Sequence, residues 1–196
     1  MKKPTIYKDQ DYLNELKIVL DNINKDSLSK AINEIQVSFE NNSKIFTCGN
    51  GGSAMIASHY ITDWVKSVNI YTGKQLQAFC LSDNTGLITA YANDVSYEEI
   101  FSQLCKSLLS EGDLLILVSG SGNSANIINA IKESKKIGAR TLAILGYDGG
   151  QAIKIADSYL HVPSFDMQIC EDFFMIFGHM VMKNLTNGKI IKSLIN

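Results

Sequence analysis

From Asp11 to Phe39 the apolar positions fall at helical spacing: Leu13, Leu16, Ile18, Val19 and Ile23, then Leu28, Ile32, Ile35 and Val37. That period predicts two amphipathic helices, broken near Asn24 to Asp26. From Lys44 the rhythm changes to short apolar bursts, IFTC, LQAFCL, LLILVS, TLAILG and SYLHV, separated by helical stretches. A strand that reads as an unbroken apolar run is buried on both faces. The alternation therefore predicts an α/β fold, a parallel sheet with helices on both sides.

The intervening helices are expected at Ser53 to Val65, Thr85 to Ala92, Ser96 to Ser110, Ser124 to Ile137 and Gly150 to Ile155. A last helix is expected from about Gln168 to Leu185. Its stretch FFMIFGHMVM is apolar almost all round, which predicts burial, including burial between subunits.

Composition narrows the class. A chain of 196 residues with 45% hydrophobic content supports one full core and reads as a single domain. A formal charge of −2 with interspersed Lys and Glu offers no basic face for nucleic acid. Cys48, Cys80, Cys105 and Cys170 form no C-x-x-C pair, so they read as reduced, mostly buried thiols. The start, MKKPTIYKDQDYLNELK, has no apolar run behind its lysines, and no window reaches the roughly 18 apolar residues of a membrane span. A soluble cytoplasmic protein without membrane contact is the expectation.

Two turns carry candidate chemistry, CGNGGSA at Cys48 to Ala54 and SGSGNSA at Ser119 to Ala125, both at carboxyl ends of expected strands. Glycine there lets backbone N–H groups approach an anion at the N-terminus of the next helix. Ser119, Ser121 and Ser124 add hydroxyl donors, a set suited to the monophosphate of a small sugar. Gly120 to Ala125 also formally matches the dinucleotide pattern G-x-G-x-x-A. The acidic residue that should close the following strand is missing, because TLAILG runs into Tyr147 and Asp148 lies inside a YDGG turn. No nucleotide cofactor is therefore expected. A turn that merely lets its helix pack is the plainer alternative.

Three histidines can be weighed. His161, at a strand end, reads as structural. His59 and Asp63 are i and i+4 on one helix face, as a surface hydrogen bond, a metal half-site or catalytic equipment would be. His179 follows Glu171 by eight residues, which returns to roughly the same face two turns on. Two histidine and carboxylate sets on helices beside a phosphate pocket would serve proton transfer on a sugar phosphate, or hold zinc through N and O donors. Asn93 and Asp94 read either as a cap for a helix beginning near Ser96 or as a contact to sugar hydroxyls.

Taken in order, the paired N-terminal helices, CGNGGS, SDN with YANDVSYEEIF, EGDLLILVSGSGNSANI, GYDGG, and VPS with ED and His179 resemble the sugar isomerase (SIS) domain family over essentially the whole chain. Within it the motifs are most similar to the phosphoheptose isomerases. The resemblance implies a single SIS domain: a five-stranded parallel sheet flanked by helices, a Rossmann-like three-layer sandwich, as a homotetramer with sites between subunits. Residues 1–42 would be N-terminal helices for oligomerisation and 43–196 the sugar-phosphate-binding core.

The implied reaction is isomerisation of D-sedoheptulose 7-phosphate to D-glycero-D-manno-heptose 7-phosphate through an enediol, the first step towards activated heptoses of lipopolysaccharide or capsule. Asn50, Gly51, Gly52, Ser53, Asn93, Asp94, Ser119, Gly120, Ser121, Ser124 and Glu171 would contact substrate. His59, Asp63, Glu171 and His179 would hold one Zn2+, with Asp63 as base and His179 as acid. The chain departs from the family pattern at Asp63, usually glutamate, at Glu171, usually glutamine, and at Gly120, usually serine. A non-catalytic SIS protein that binds a replication initiator or senses a sugar phosphate is the alternative.

Overall fold

In the computed structural model, which describes residues 8–189, the five apolar bursts form one parallel sheet. Its strands are β1 (Ile45–Gly49), β2 (Ala78–Cys80), β3 (Leu114–Ser119), β4 (Arg140–Leu145) and β5 (Ser158–His161), in the order β2-β1-β3-β4-β5. Every residue of β1 and β3 is buried, as their unbroken apolar runs require. The β2 burst is reduced to three residues at the sheet edge, where Phe79 lies exposed.

Alternate side chains feed two cores. Ile45, Leu114, Ile116, Val118, Leu142 and Ile144 face one side, and Phe46, Cys48, Leu115, Leu117, Ala143 and Leu145 face the other. The first face is covered by α1 (Asp9–Asn22), α2 (Lys25–Glu40), α3 (Gly52–Thr72) and α8 (Met167–Leu185), the second by α5 (Ile100–Leu108), α6 (Ala125–Ile137) and α7 (Ala152–Ile155), with α4 (Thr85–Asp94) beside them. From β1 the chain steps outward to β2 and then returns to β3 on the other side of β1. That reversal puts the topological switch point between β1 and β3, where ligands bind in open α/β sheets.

Several elements differ from the sequence expectation. α3 runs on past Val65 to Thr72, because Ser67 and Val68 continue the buried face until Gly73, at φ +68°, stops the helix in a left-handed cap. Residues 96–110 split into a 3₁₀ turn at Tyr97–Glu99 and α5, and Asp94 ends α4 instead of capping the next helix. α8 is not buried all round. Phe173, Phe174, Phe177 and Val181 face the core, while Asp172, His179 and Met180 are exposed in the single chain. A one-sided pattern was masked because Ile176 and Met180 are apolar but lie towards the outside.

α2 packs on the sheet and on α8, and α1 packs on α8, with Val19, Ile23, Ala31 and Ile35 in the same core. Arg140 pins α2 by donating to Glu34 Oε2 and Ser38 Oγ, both at 2.7 Å. Leu13 and Ile18 of α1 point outward, at 57% and 60% exposure. All four cysteines are free thiols, and among the described residues no helix is long and apolar enough to cross a membrane.

At the β4–β5 side, the Asp157 carboxylate accepts from Thr141 N at 3.0 Å and Thr141 Oγ1 at 2.7 Å and pairs with Lys135 Nζ at 2.9 Å. Partial burial raises its pKa, but the hydrogen bonds from Lys135 and Thr141 and the Lys135 charge outweigh that, leaving it below the ordinary carboxylate value. With the folded value depressed, Asp157 contributes stability that is complete above about pH 5 and lost as pH falls through the folded pKa. Asp157→Asn is expected to flatten the acid limb of urea stability below about pH 4. An unchanged slope in that window would refute this role.

Candidate active site

The two glycine turns meet at the switch point. Asn50, Ser53, Ser119, Gly120, Ser121 and Ser124, with Val118 and Met167, line a recess of about 120 Å³. That is well below the roughly 300–1,000 Å³ of a drug-sized pocket, and too small for a dinucleotide. Two helix N-termini open onto it. Neither Gly51 before α3 nor Ser124 before α6 makes a side-chain cap, so first-turn N–H groups of both helices remain for an anion.

The serines are set to donate. Ser119 Oγ accepts from Gly122 N at 3.1 Å and Ser121 Oγ from Asn123 N at 3.2 Å, so each hydroxyl proton is left for a ligand. The loop is braced from behind by GYDGG and the start of α7: Gly146 N donates to Gly120 O at 3.1 Å, and Ala152 N to Gly122 O and Gln151 N to Asn123 Oδ1, both at 3.0 Å. Gly122 has φ +61°, and a Cβ there would collide with Gly149 O. Its glycine is thus demanded twice, by dihedral and by space.

Asn50 is held rather than free. Its Nδ2 donates to Asn126 Oδ1 at 2.8 Å, and its Oδ1 accepts from Asn126 Nδ2 and Tyr97 OH, both at 2.9 Å. One Nδ2 proton remains for a ligand. Glu171 lies at the start of α3 beside Ser53, its carboxylate occupying the place a Cβ on Gly52 would take.

The second group lies farther along the helices. α3 and α8 run parallel, and His59, Asp63 and His179 meet across them. His59 Nε2 lies 3.4 Å from His179 Nε2 and 3.4 Å from Asp63 Oδ2, and His179 Nε2 lies 3.5 Å from Asp63 Oδ2. A tetrahedral ion with N and O donors at about 2.0–2.1 Å spaces them about 3.3–3.4 Å apart. Two imidazoles and one carboxylate at these separations therefore fit a zinc-like ion with one position open. Asp63 Oδ1 faces away, 3.9 Å from Lys66 Nζ. Glu171 is not part of this group. It sits at Gly52, and seven residues of α3 separate that end from His59, about 10 Å along the axis.

The SIS domain family model matches residues 11–146. The chain is 34% identical over 163 residues to a phosphoheptose isomerase of Aliarcobacter butzleri, covering 83% of this chain and 86% of that one. It is 40% identical over 138 residues to a phosphoheptose isomerase of Clostridium acetobutylicum, covering 70% of each. The chain belongs to the SIS domain family. A solved phosphoheptose isomerase from Neisseria gonorrhoeae superposes on this SIS domain with a TM-score of 0.83 at 27% identity, over 91% of this chain and 96% of that one.

Within the SIS domain, the residues expected from sequence separate into two places. Asn50, Ser53, Ser119, Gly120, Ser121 and Ser124 share the recess, bordered by Gly51, Gly52 and Glu171, and His59, Asp63 and His179 form the donor cluster. Asn93 and Asp94 join neither: they are exposed at the end of α4, where Asn93 Nδ2 donates to Asp94 Oδ1 at 2.8 Å. His161 has a structural bond, its Nε2 lying 2.9 Å from Tyr147 O.

Three residues at the site were missed. Tyr97 and Asn126 orient Asn50, and Met167 fills the space beside Gly120. The only sequence signal for Met167 was the missing side chain at Gly120 itself.

Gly122→Ala is expected to cost about 1–3 kcal/mol of stability from its φ alone. It should also release the brace and weaken inorganic phosphate binding, read by calorimetric titration. Wild-type phosphate affinity in this variant would show that the loop needs no such brace.

Proposed function

We propose that this SIS protein is a phosphoheptose isomerase, an aldose–ketose isomerase that takes D-sedoheptulose 7-phosphate to D-glycero-D-manno-heptose 7-phosphate, the step that opens synthesis of activated heptose for lipopolysaccharide or capsule. The observation that carries this reading is the pairing, on α3, of a serine-lined anion recess at one end with the His59, Asp63 and His179 cluster two turns on. Relatives named for that activity at 34% and 40% identity support it.

In this reading the sugar's phosphate sits on Ser119, Ser121 and Ser124 and the helix N-termini. Asn50 and Ser53 hold the chain of hydroxyls. Asp63 takes the proton from C1 of the ketose. The electron pair moves into the C1–C2 bond and the carbonyl oxygen gains a proton from His179, giving the enediol. Returning the proton to C2, with loss of the C1 hydroxyl proton, yields the aldose. His59, Asp63 and His179 would hold Zn2+, which when bound would polarise the substrate oxygens.

Glu171 bears on assembly. Within one chain it cannot reach the donor cluster, yet a fourth ligand is wanted there. If Glu171 of the partner subunit supplied it, that subunit's serine recess would come with it, because Glu171 lies at the start of α3 beside Ser53 of the recess. A homotetramer with composite sites meets both demands. Asn93 and Asp94, exposed in one chain, would then face sugar hydroxyls across the contact.

With zinc supplied, protein incubated with sedoheptulose 7-phosphate in deuterated water should produce the aldose with deuterium at C2, followed by NMR. No product and no exchange would overturn the enzyme reading. Asp63→Asn is expected to lower kcat by about 10²–10⁴-fold. For the composite site, His179→Ala and Glu171→Ala should each be inactive and regain turnover when mixed and allowed to exchange subunits. If the mixture stays dead while both variants assemble, the site lies within one chain.

A further inference from the structure

We propose that Tyr60 and Trp64 are positioning residues: with Gly178 they fix the register of α8 against α3 and thereby bring His179 to His59 and Asp63. Tyr60 OH donates to Phe174 O at 2.6 Å, and Trp64 Nε1 donates to Gly178 O at 2.8 Å, all within the buried core. The donors are four residues apart on α3 and the acceptors four apart on α8. Each backbone carbonyl has a second lone pair beyond its helical bond, which these groups take. Burial holds the Tyr60 hydroxyl well above its ordinary pKa, so it remains a donor.

Two bonds at matching spacing would still allow α8 to slide by one turn, about 5.4 Å, and bond again. Gly178 removes that option. The Tyr60 ring lies where a Cβ on residue 178 would be, so a shifted register would press Phe174 or Met182 against it. Tyr60 stacks on Trp64 at 4.9 Å between ring centroids with planes 14° apart, and Phe177 closes the ring edge at 6.2 Å. The cluster residues are the immediate chain neighbours of this lock. His59 precedes Tyr60, Asp63 precedes Trp64 and His179 follows Gly178, so an error in the lock passes directly into the donor triangle.

The metal arm of the test rests on the zinc reading above; a second arm does not. In metal-free protein with labelled histidine, the His59 and His179 rings, whose centroids are 5.6 Å apart, should show a ring-to-ring NOE. That NOE should persist in Leu104→Val, a core change on the opposite sheet face, and be lost or weakened in Tyr60→Phe and Trp64→Phe. In the metal arm, chelator competition should show zinc affinity lowered about 10–100-fold in both aromatic variants, as when the groups that orient metal ligands are removed, and unchanged in Leu104→Val. An aromatic variant with lowered melting temperature but wild-type NOE and wild-type zinc affinity would overturn the lock and leave these residues as plain core. A wild type that binds no zinc would overturn the metal reading alone, with the NOE still deciding the lock. Should Trp64→Phe not fold, Tyr60→Phe, which removes one hydroxyl, carries both readouts.

Discussion

The docking of α8 through missing side chains is the constraint on which the rest of the structure depends. Four of its residues fit where a glycine elsewhere lacks a Cβ: Met167 at Gly120, Cys170 at Gly146, Glu171 at Gly52 and, in reverse, Gly178 under Tyr60. The first two contacts set α8 against the loops after β3 and β4, and the last two set it against α3. A methyl group at any of them would meet packed neighbours in an interior with no slack to absorb it. Through this one helix the anion recess, its acidic border and the histidine cluster are held in fixed relation.

Much of this was legible in the chain. The five apolar bursts became the five strands because a doubly covered strand must be apolar throughout, and the glycine turns fell at strand ends because only there is close approach needed. His59 with Asp63 was readable since both lie on one helix and spacing decides whether they share a face. The pairing of Glu171 with His179 read correctly as two side chains turned towards α3 and misleadingly as one site: eight residues overshoot two turns by about 80° and add about 12 Å of rise. Only the parallel packing of α3 on α8 shows which of the two meets Gly52 and which meets His59.

What was not legible comes from contacts between distant segments. Asn126 and Tyr97 look like ordinary polar positions until Asn50 is placed between them. Met167 reads as a first-turn helix residue and acts as a wall of the recess. The inner and outer faces of α8 could not be told apart by composition, because methionine and isoleucine occur on both. Periodicity reports burial only when the outside is polar.

The reversal of strand order between β1 and β3 has an energetic consequence for ligand capture. α3 leaves over one face of the sheet and α6 over the other, so the floor of the recess is the hydrogen-bonded seam of two fully buried strands. Its walls are helix starts rooted in opposite cores, and its serine loop is tied to the GYDGG turn. In the proposed reading, a phosphoryl group entering there would meet donors already aimed and lose little affinity to ordering the protein. Such a grip would be rigid and ready-made, leaving adaptation to the rest of the sugar to the side chains around it.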